Sequence, residues 1–435
     1  MAKDIKVDPE NKDMNVPQID LPRVVIIGCG FAGLKFCKYI DTRRYQVVLI
    51  DQKNYHTFQP LLYQVASSGL EPDSIVYPIR KIFKGKRNFF FRLAKTKRID
   101  FENKKVITNI GELEFDKLVI ATGAGSNFFG MKDIKKFAMP MKEVIEALDL
   151  RSVIIQNFEE ALNTSDLKER ERLMNFVIVG AGPTGVELAG ALAELRAHVL
   201  PNDYPDLDIR RMQINIVESN ERVLANMSEE ASDKAKKYLH KKGIYLWLGQ
   251  RVKTYDGQVA STGTETFDTR TLIWAAGIKG KFPKGIRKAH VTRGNRILVN
   301  DLNELSGTQD IYAIGDVAAV QTETCPNGHA MLASVAEQQG KHLAQNLNLL
   351  AKGKSMKPFA FNDKGTMATI GRNRAVVDLP NLKIGGMMGW FIWMFVHLLL
   401  LVDFRNKLVV FMNWAWSYIN YDKGTRVIIR KFSKK

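Results

Sequence analysis

The residues Arg23-Val24-Val25-Ile26-Ile27-Gly28-Cys29-Gly30-Phe31-Ala32-Gly33 decide the fold. A short apolar run of this kind reads as a buried parallel strand, and it enters a G-x-G-x-x-G directly. A helix-like segment follows to Ile40, and a second apolar strand over residues 47–50 ends at Asp51. Each part has a physical job. Gly28 permits a tight turn, Gly30 lets backbone N–H groups reach a pyrophosphate, and Gly33 lets helix pack on strand. The helix N-terminus attracts phosphate charge. Asp51 stands 21 residues beyond Gly30, where a carboxylate accepts ribose hydroxyls. The glycines alone say little; strand, helix, strand and acid together predict a dinucleotide-binding unit.

The pattern recurs. Residues 175–179 lead into Gly180-Ala181-Gly182-Pro183-Thr184-Gly185, a helix carrying Glu187 follows, and an apolar strand over residues 214–217 closes on Glu218. Glu218 lies 36 residues beyond Gly182, further than the usual distance of about 20. The excess reads as a loop around Pro201-Asn202-Asp203-Tyr204-Pro205, because Pro and Asn/Asp clusters mark loops. Two such units imply two dinucleotides in one chain. A carboxylate at Glu218 accepts the 2′-OH of NADH and repels the 2′-phosphate of NADPH, so NADH is the expected carrier.

Three further apolar strands end in small residues: Leu118-Val119-Ile120-Ala121-Thr122-Gly123, Leu272-Ile273-Trp274-Ala275-Ala276-Gly277 and Asp310-Ile311-Tyr312-Ala313-Ile314-Gly315-Asp316. Backbone can approach a ligand closely at such ends. Their order predicts an α/β fold of two Rossmann-type domains, the second inserted in the first, with crossings near residues 120–145 and 270–280. The expected divisions are a tail over residues 1–21, a first FAD-type part over 22–142, an inserted domain over 143–272, a return part over 273–345 and a C-terminal region over 346–435. A chain of 435 residues is more than one core usually holds. The three cysteines, Cys29, Cys37 and Cys325, form no C-x-x-C, which excludes a disulfide framework, a cysteine zinc site and a redox pair. No metal ligand set is apparent. A net charge of +18 points to an anionic partner.

On these motifs the chain resembles the two-dinucleotide-binding flavoprotein oxidoreductases. The resemblance implies non-covalent FAD on the first loop, held by Gly28, Gly30, Phe31, Ala32, Gly33, Asp51, Gln59, Thr122, Gly123, Gly315 and Asp316. It implies NADH, a substrate, on the second loop, held by Gly180, Gly182, Pro183, Thr184, Gly185, Glu187, Glu218, Ala276 and Gly277. Within that group, Phe58-Gln59-Pro60-Leu61-Leu62-Tyr63-Gln64-Val65-Ala66 is similar to a segment of the type II NADH:quinone oxidoreductases. So are residues 180–190, 313–316 and 363–371, and Asn413-Trp414-Ala415-Trp416-Ser417-Tyr418. The resemblance covers residues 22–430. It implies hydride transfer from NADH to FAD and then two electrons to a membrane quinone, without proton pumping. Family members carry a quinone pattern of alanine-glutamine, three residues, then glutamine; this chain has Ser334 for the first glutamine and keeps the second as Gln338.

Residues 386–402 hold no formal charge, Trp390, Trp393, Trp414 and Trp416 lie in the tail, and residues 403–435 carry eight basic and two acidic residues. Three readings follow: a short spanning anchor, a core shared by a homodimer, or helices lying in one leaflet over anionic lipid. The last uses the apolar face, the tryptophans and the charge together. Residues 1–20 show neither a signal nor a transit pattern, so the expected location is the cytoplasmic face of a bacterial cell membrane. Residues 80–98 hold nine Lys/Arg and no acid; they read as a solvated face with its aromatics in the core, and no nucleic acid is expected.

Quinone reduction consumes two protons, so Glu187 and His397 are candidate catalytic residues. The competing reading of Glu187 is a helix-start carboxylate, and of His397 a satisfied core histidine. Two alternatives to the whole reading are a reductase with a soluble acceptor such as a ferredoxin, and a signalling or nucleic-acid-binding flavoprotein.

Overall fold

Val24, Val25, Ile26 and Ile27 are all buried, as a strand covered on both faces requires. In the structure, a computed structural model describing residues 13–322, 325–420, 424–428 and 431–432, Arg23–Ile27 is the middle strand of a five-stranded parallel sheet. The order across the sheet is Ile311–Ala313, Lys117–Ile120, Arg23–Ile27, Gln46–Asp51, Phe89–Leu93. Strand order reverses beside Arg23–Ile27, which puts the crevice for a ligand outside the carboxyl ends at that point. The helix Phe31–Tyr39 packs against the helix Ala333–Leu350.

Contacts divide the chain into two units. The first holds the residues up to His56, Tyr77–Gly125 and Ile278–Asp363; the second holds Thr57–Val76, Ser126–Gly277 and the residues from Lys364. The chain thus leaves the first unit after Gly125 and re-enters it at Ile278, inside the expected crossing ranges of 120–145 and 270–280 although not at the expected bounds of 142 and 273. Residues 57–76 and the C-terminal region join the second unit, because helix Leu62–Ala66 packs on helices Val144–Asn163 and Pro183–Glu194.

The second unit has its own five-stranded parallel sheet, in the order Met139–Pro140, Thr271–Trp274, Phe176–Val179, Ile214–Val217, Tyr245–Trp247. The expected loop around residues 201–205 starts only at Tyr204. Helix Pro183–Glu194 runs on through a π-helical turn, Leu195–Val199, and a last segment, Leu200–Asp203. Pro201 falls in the first turn of that segment, where a missing N–H costs nothing; the wider π turn lets the helix continue.

The tail expectation also changes. Residues 1–12 lie outside the described residues. Met14 and Val16 are buried in the first unit's core, and Arg92 Nε donates to Met14 O at 3.0 Å. In the basic run, Phe83 and Phe91 are buried, Arg80 lies over the Phe91 ring, and Lys86 Nζ reaches the carbonyls of Lys38 and Ile40. Several of those charges therefore hold the fold.

The C-terminal region opens with three antiparallel strands, Thr366–Thr369, Ala375–Leu379 and Leu382–Gly385. Helix Gly386–Leu400 packs on the middle one, and helix Phe404–Asn420 follows. Among the described residues no helix is long and apolar enough to cross a membrane. The tryptophans divide: Trp393 is 1% exposed and Trp416 is 61% exposed. Lys423, Arg430, Lys434 and Lys435, part of the expected basic charge, lie outside the described residues.

Candidate functional site

In the first unit the expected flavin residues converge at the carboxyl ends of adjacent strands. Gly28 has φ +103°, and a Cβ there would meet Ala121 O at 2.4 Å, so the turn and the strand leading to Thr122 and Gly123 are in backbone contact. Asp51 Oδ2 accepts from Cys29 N–H at 2.6 Å, which ties the acid to the loop. Gly315, next to Asp316, lies against Ala32 and donates its N–H to Gln339 Oε1 at 2.7 Å. The groups fit a pyrophosphate. Gly30 N-caps the helix Phe31–Tyr39 without any side-chain cap, open space lies above it, and the Thr122 hydroxyl is buried without a hydrogen bond.

Sequence reasoning missed two supports of this loop. Gln339 is fully buried beneath Gly315. His56 is buried with Nδ1 2.8 Å from Cys29 O. Burial pushes its imidazole down to about 4, so the ring is neutral and Nδ1–H is the donor. The Cys29 and Cys37 thiols are pushed up by burial, Cys37 to about 12, which leaves both inert near neutrality. Gln59 belongs to the second unit.

The second loop repeats the construction within the second unit. Gly180 has φ +107°, with Ala275 and Ala276 backbone within 3 Å of where a Cβ would stand. Glu218 Oε2 accepts from Ala181 N–H at 2.7 Å, the counterpart of the Asp51 contact. Its Oε1 accepts from Asn220 N–H at 2.8 Å and from the Asn220 amide at 2.7 Å. Gly182 N-caps helix Pro183–Glu194 with no side-chain cap and open space beside it. Pro183 and Thr184 are exposed on the first turn; Ala276 and Gly277 follow the neighbouring strand, Thr271–Trp274.

Glu187 is not at an exposed helix start. It is 6% exposed, Thr369 N–H donates to Oε1 at a long 3.4 Å, and the Trp393 indole N–H approaches without closing a hydrogen bond. Burial pushes the carboxyl up to about 8. His397 is 8% exposed, stacks on Trp393 with centroids 4.0 Å apart, and has Nδ1 2.8 Å from Trp393 O. Burial pushes it down to about 4. It is a neutral ring whose Nδ1–H donates to Trp393 O.

A cleft of about 90 Å³, partly open to solvent, lies in the second unit between the segment after Gln59, the end of helix Pro183–Glu194 and the two C-terminal helices. Trp390, Trp393, Trp414 and Met394 supply apolar walls; Tyr63, Gln64, Glu194 and Arg372 supply polar groups. Arg372 reaches the Ser417 and Tyr418 carbonyls, and its N–H is bonded to Glu194. Sequence reading did not find this site, although it singled out the segment carrying Tyr63 and Gln64. Ser334 and Gln338 lie in the first unit on helix Ala333–Leu350. The Gln338 amide is committed to Asn362, donating to its carbonyl at 2.9 Å and accepting its N–H at 3.0 Å.

Comparison with known proteins agrees with this construction. Residues 22–340 match the family described as pyridine nucleotide-disulphide oxidoreductase, and residues 364–420 match the NDH2 C-terminal domain. The chain is 31% identical over 422 residues to the type II NADH:quinone oxidoreductase Ndh of Mycobacterium tuberculosis, covering 93% of this chain and 90% of that protein. It is 32% identical to the internal alternative NAD(P)H-ubiquinone oxidoreductase A1 of Solanum tuberosum, covering 92% and 86%. The fold is that of NDH2 from Plasmodium falciparum solved with NADH, with a TM-score of 0.85 at 21% identity, covering 94% of this chain and 100% of that one. The chain belongs to the type II NADH:quinone oxidoreductase family.

Proposed function

We propose that the chain oxidises NADH and reduces a membrane quinone through a bound FAD. The observation that carries this reading is the pairing of two glycine loops, each tied to an acid at the end of the next strand, with an aromatic cleft in the second unit. When bound, the flavin supplies hydride acceptance and two-electron delivery. The protein's residues do the rest. Gly28 to Gly33, Thr122 to Gly123 and Gly315 to Asp316 would hold the flavin nucleotide, with Asp51 accepting from its ribose. Gly180 to Gly185, Ala276 and Gly277 would hold NADH, and Glu218 would take its ribose 2′-hydroxyl. The cleft lined by Tyr63, Gln64, Trp393 and Trp414 would take the quinone head. This reading prefers the cleft to Ser334 and Gln338 because aromatic walls and polar side chains converge there, whereas the Gln338 amide pairs through one N–H and its oxygen with the Asn362 backbone. Glu187 would hold a proton at neutral pH for the reduced acceptor.

Anaerobic titration tests the reaction: NADH bleaches the yellow chromophore, NADPH does so poorly, and a lipophilic quinone restores the colour. A colourless preparation that does not respond would end the reading.

The exposed apolar side chains of the two C-terminal helices would meet an anionic bilayer at the cytoplasmic side. Met388, Phe395, Phe404, Leu408, Met412 and Ile419 are each more than half exposed, a concentration of large apolar side chains on two successive helices that suits a lipid contact. Phe395→Glu with Met388→Glu is expected to lower sedimentation with vesicles containing anionic lipid at least tenfold, while NADH still bleaches the flavin. Unchanged co-sedimentation would remove these helices from the lipid contact.

A further inference from the structure

Gln64 sits in a hydrogen-bond chain whose direction one member fixes. An indole N–H can only donate, and Trp414 Nε1 lies 2.8 Å from Gln64 Oε1. The Gln64 amide therefore cannot turn over without losing that bond. Its oxygen faces Trp414, and its Nε2 faces the Tyr63 hydroxyl at 2.9 Å. The amide nitrogen is a donor only, so Tyr63 Oη is the acceptor in this pair. The phenol's own proton points elsewhere, and among the described residues no group takes it. Burial keeps that proton on: the Tyr63 phenol is pushed well above its ordinary range, and Glu187 and Glu194 push the same way. All three side chains line the aromatic cleft.

We infer that the Tyr63 O–H is the hydrogen-bond donor that receives a carbonyl oxygen of the electron acceptor, with Gln64 and Trp414 as the positioning residues that aim it. The inference rests on the cleft being the acceptor site. A quinone carbonyl is an acceptor without a proton of its own, so a donor that has no acceptor among the described residues suits it. Negative charge builds on that oxygen as electrons arrive, and a preset donor stabilises it. No proton leaves Tyr63. The two electrons come through the flavin from NADH, and the two protons of the quinol come from other groups and solvent.

The test uses the full-length, flavin-loaded protein and a short-chain benzoquinone, with NADH bleaching of the flavin and ferricyanide reduction as parallel readouts. Tyr63→Phe is expected to lower kcat/KM for the quinone about tenfold or more, with flavin bleaching and ferricyanide turnover within about twofold of wild type. Trp414→Phe keeps an aromatic wall but releases the amide, whose oxygen can then turn to take the Tyr63 proton; a loss of about three- to tenfold is expected. Adding Gln64→Leu to Trp414→Phe removes that competing acceptor, and the double variant is expected to recover most of the loss. A packing role would give no such rescue. Quinone kcat/KM within twofold of wild type for Tyr63→Phe, or a double variant no better than Trp414→Phe alone, overturns the inference. Ser417→Phe, which fills the cleft, separates the two levels. If it leaves quinone turnover intact, the cleft is not the acceptor site. If it abolishes turnover and Tyr63→Phe does not, only the role of Tyr63 falls.

Discussion

Gly33→Ala yields protein that loses its flavin and about 3 kcal/mol or more of stability, while Gly30→Ala folds normally and loses only nucleotide affinity. The two glycines are three residues apart, yet they meet opposite surroundings. A Cβ on Gly33 would stand 1.9 Å from Gly28 O and 3.0 Å from its carbon. Those are backbone atoms of a turn that Gly28 N–H pins to Ile50 O at 2.8 Å and Cys29 N–H pins to Asp51. Nothing flexible is available to give way, so helix Phe31–Tyr39 must lift from the strand. A Cβ on Gly30 meets nothing within 4 Å, and its φ of −68° suits any residue. That space is where a pyrophosphate must come close to the helix N-terminus, so the methyl costs binding and not folding. Urea unfolding of the flavin-free protein, together with flavin retained on purification, separates the cases. Gly30→Ala should bind FAD at least tenfold more weakly, about 1.4 kcal/mol, with an unfolding midpoint close to wild type. The same split is expected at Gly185, where a Cβ would be 2.0 Å from Gly180 O, and at Gly182, where it would be free; there the readout is KM for NADH. A Gly30→Ala protein that unfolds, or a Gly33→Ala protein that stays yellow and stable, would mean the first loop is not a phosphate cradle.

That contrast also explains what could be read without coordinates. Glycine spacing, the apolar strands and the closing acids are local demands, each set by a turn or a helix end a few residues away. Asp51 and Glu218 follow from such demands, and both reach the N–H of the second loop residue. The rest depends on distant segments. Gln64 meets Trp414 across 350 positions, and Glu187 meets Thr369 across 182. No period or spacing links such pairs. A helix-start glutamate and a buried proton carrier look identical until the strand Thr366–Thr369 and Trp393 close over the position. Gln338 shows the converse. The family pattern suggested a quinone contact there, and nothing in that pattern shows that the backbone of Asn362 engages both ends of its amide. The tail tryptophans read as an interfacial belt, and the fold instead buries Trp393 and turns Trp390 and Trp414 toward the cleft.

Glu187→Gln is expected to slow quinone reduction by 10- to 100-fold while NADH still bleaches the flavin at its normal rate. Burial holds the Glu187 carboxyl up at about 8, so it carries a proton at neutral pH and gives it up to solvent only under alkaline conditions. Quinone turnover in the unaltered protein should therefore fall as pH rises through about 8, and the Gln variant should be slow and flat across that range. Stability supplies an independent reading of the same group. The folded carboxyl binds its proton at pH values where the unfolded chain, titrating near 4.5, has released it. Native protein thus holds one proton more than unfolded protein between those limits. By linkage, stability is highest below pH 4.5 for this group and declines toward pH 8 by up to about 1.4 kcal/mol per unit. Glu187→Gln removes that slope because the amide does not titrate. Urea midpoints at pH 6, 7 and 8 measure it with no electron acceptor present. A Gln variant with the wild-type slope would place the proton elsewhere. One that loses the slope but keeps full quinone turnover would leave Glu187 buried and protonated with no part in the reaction.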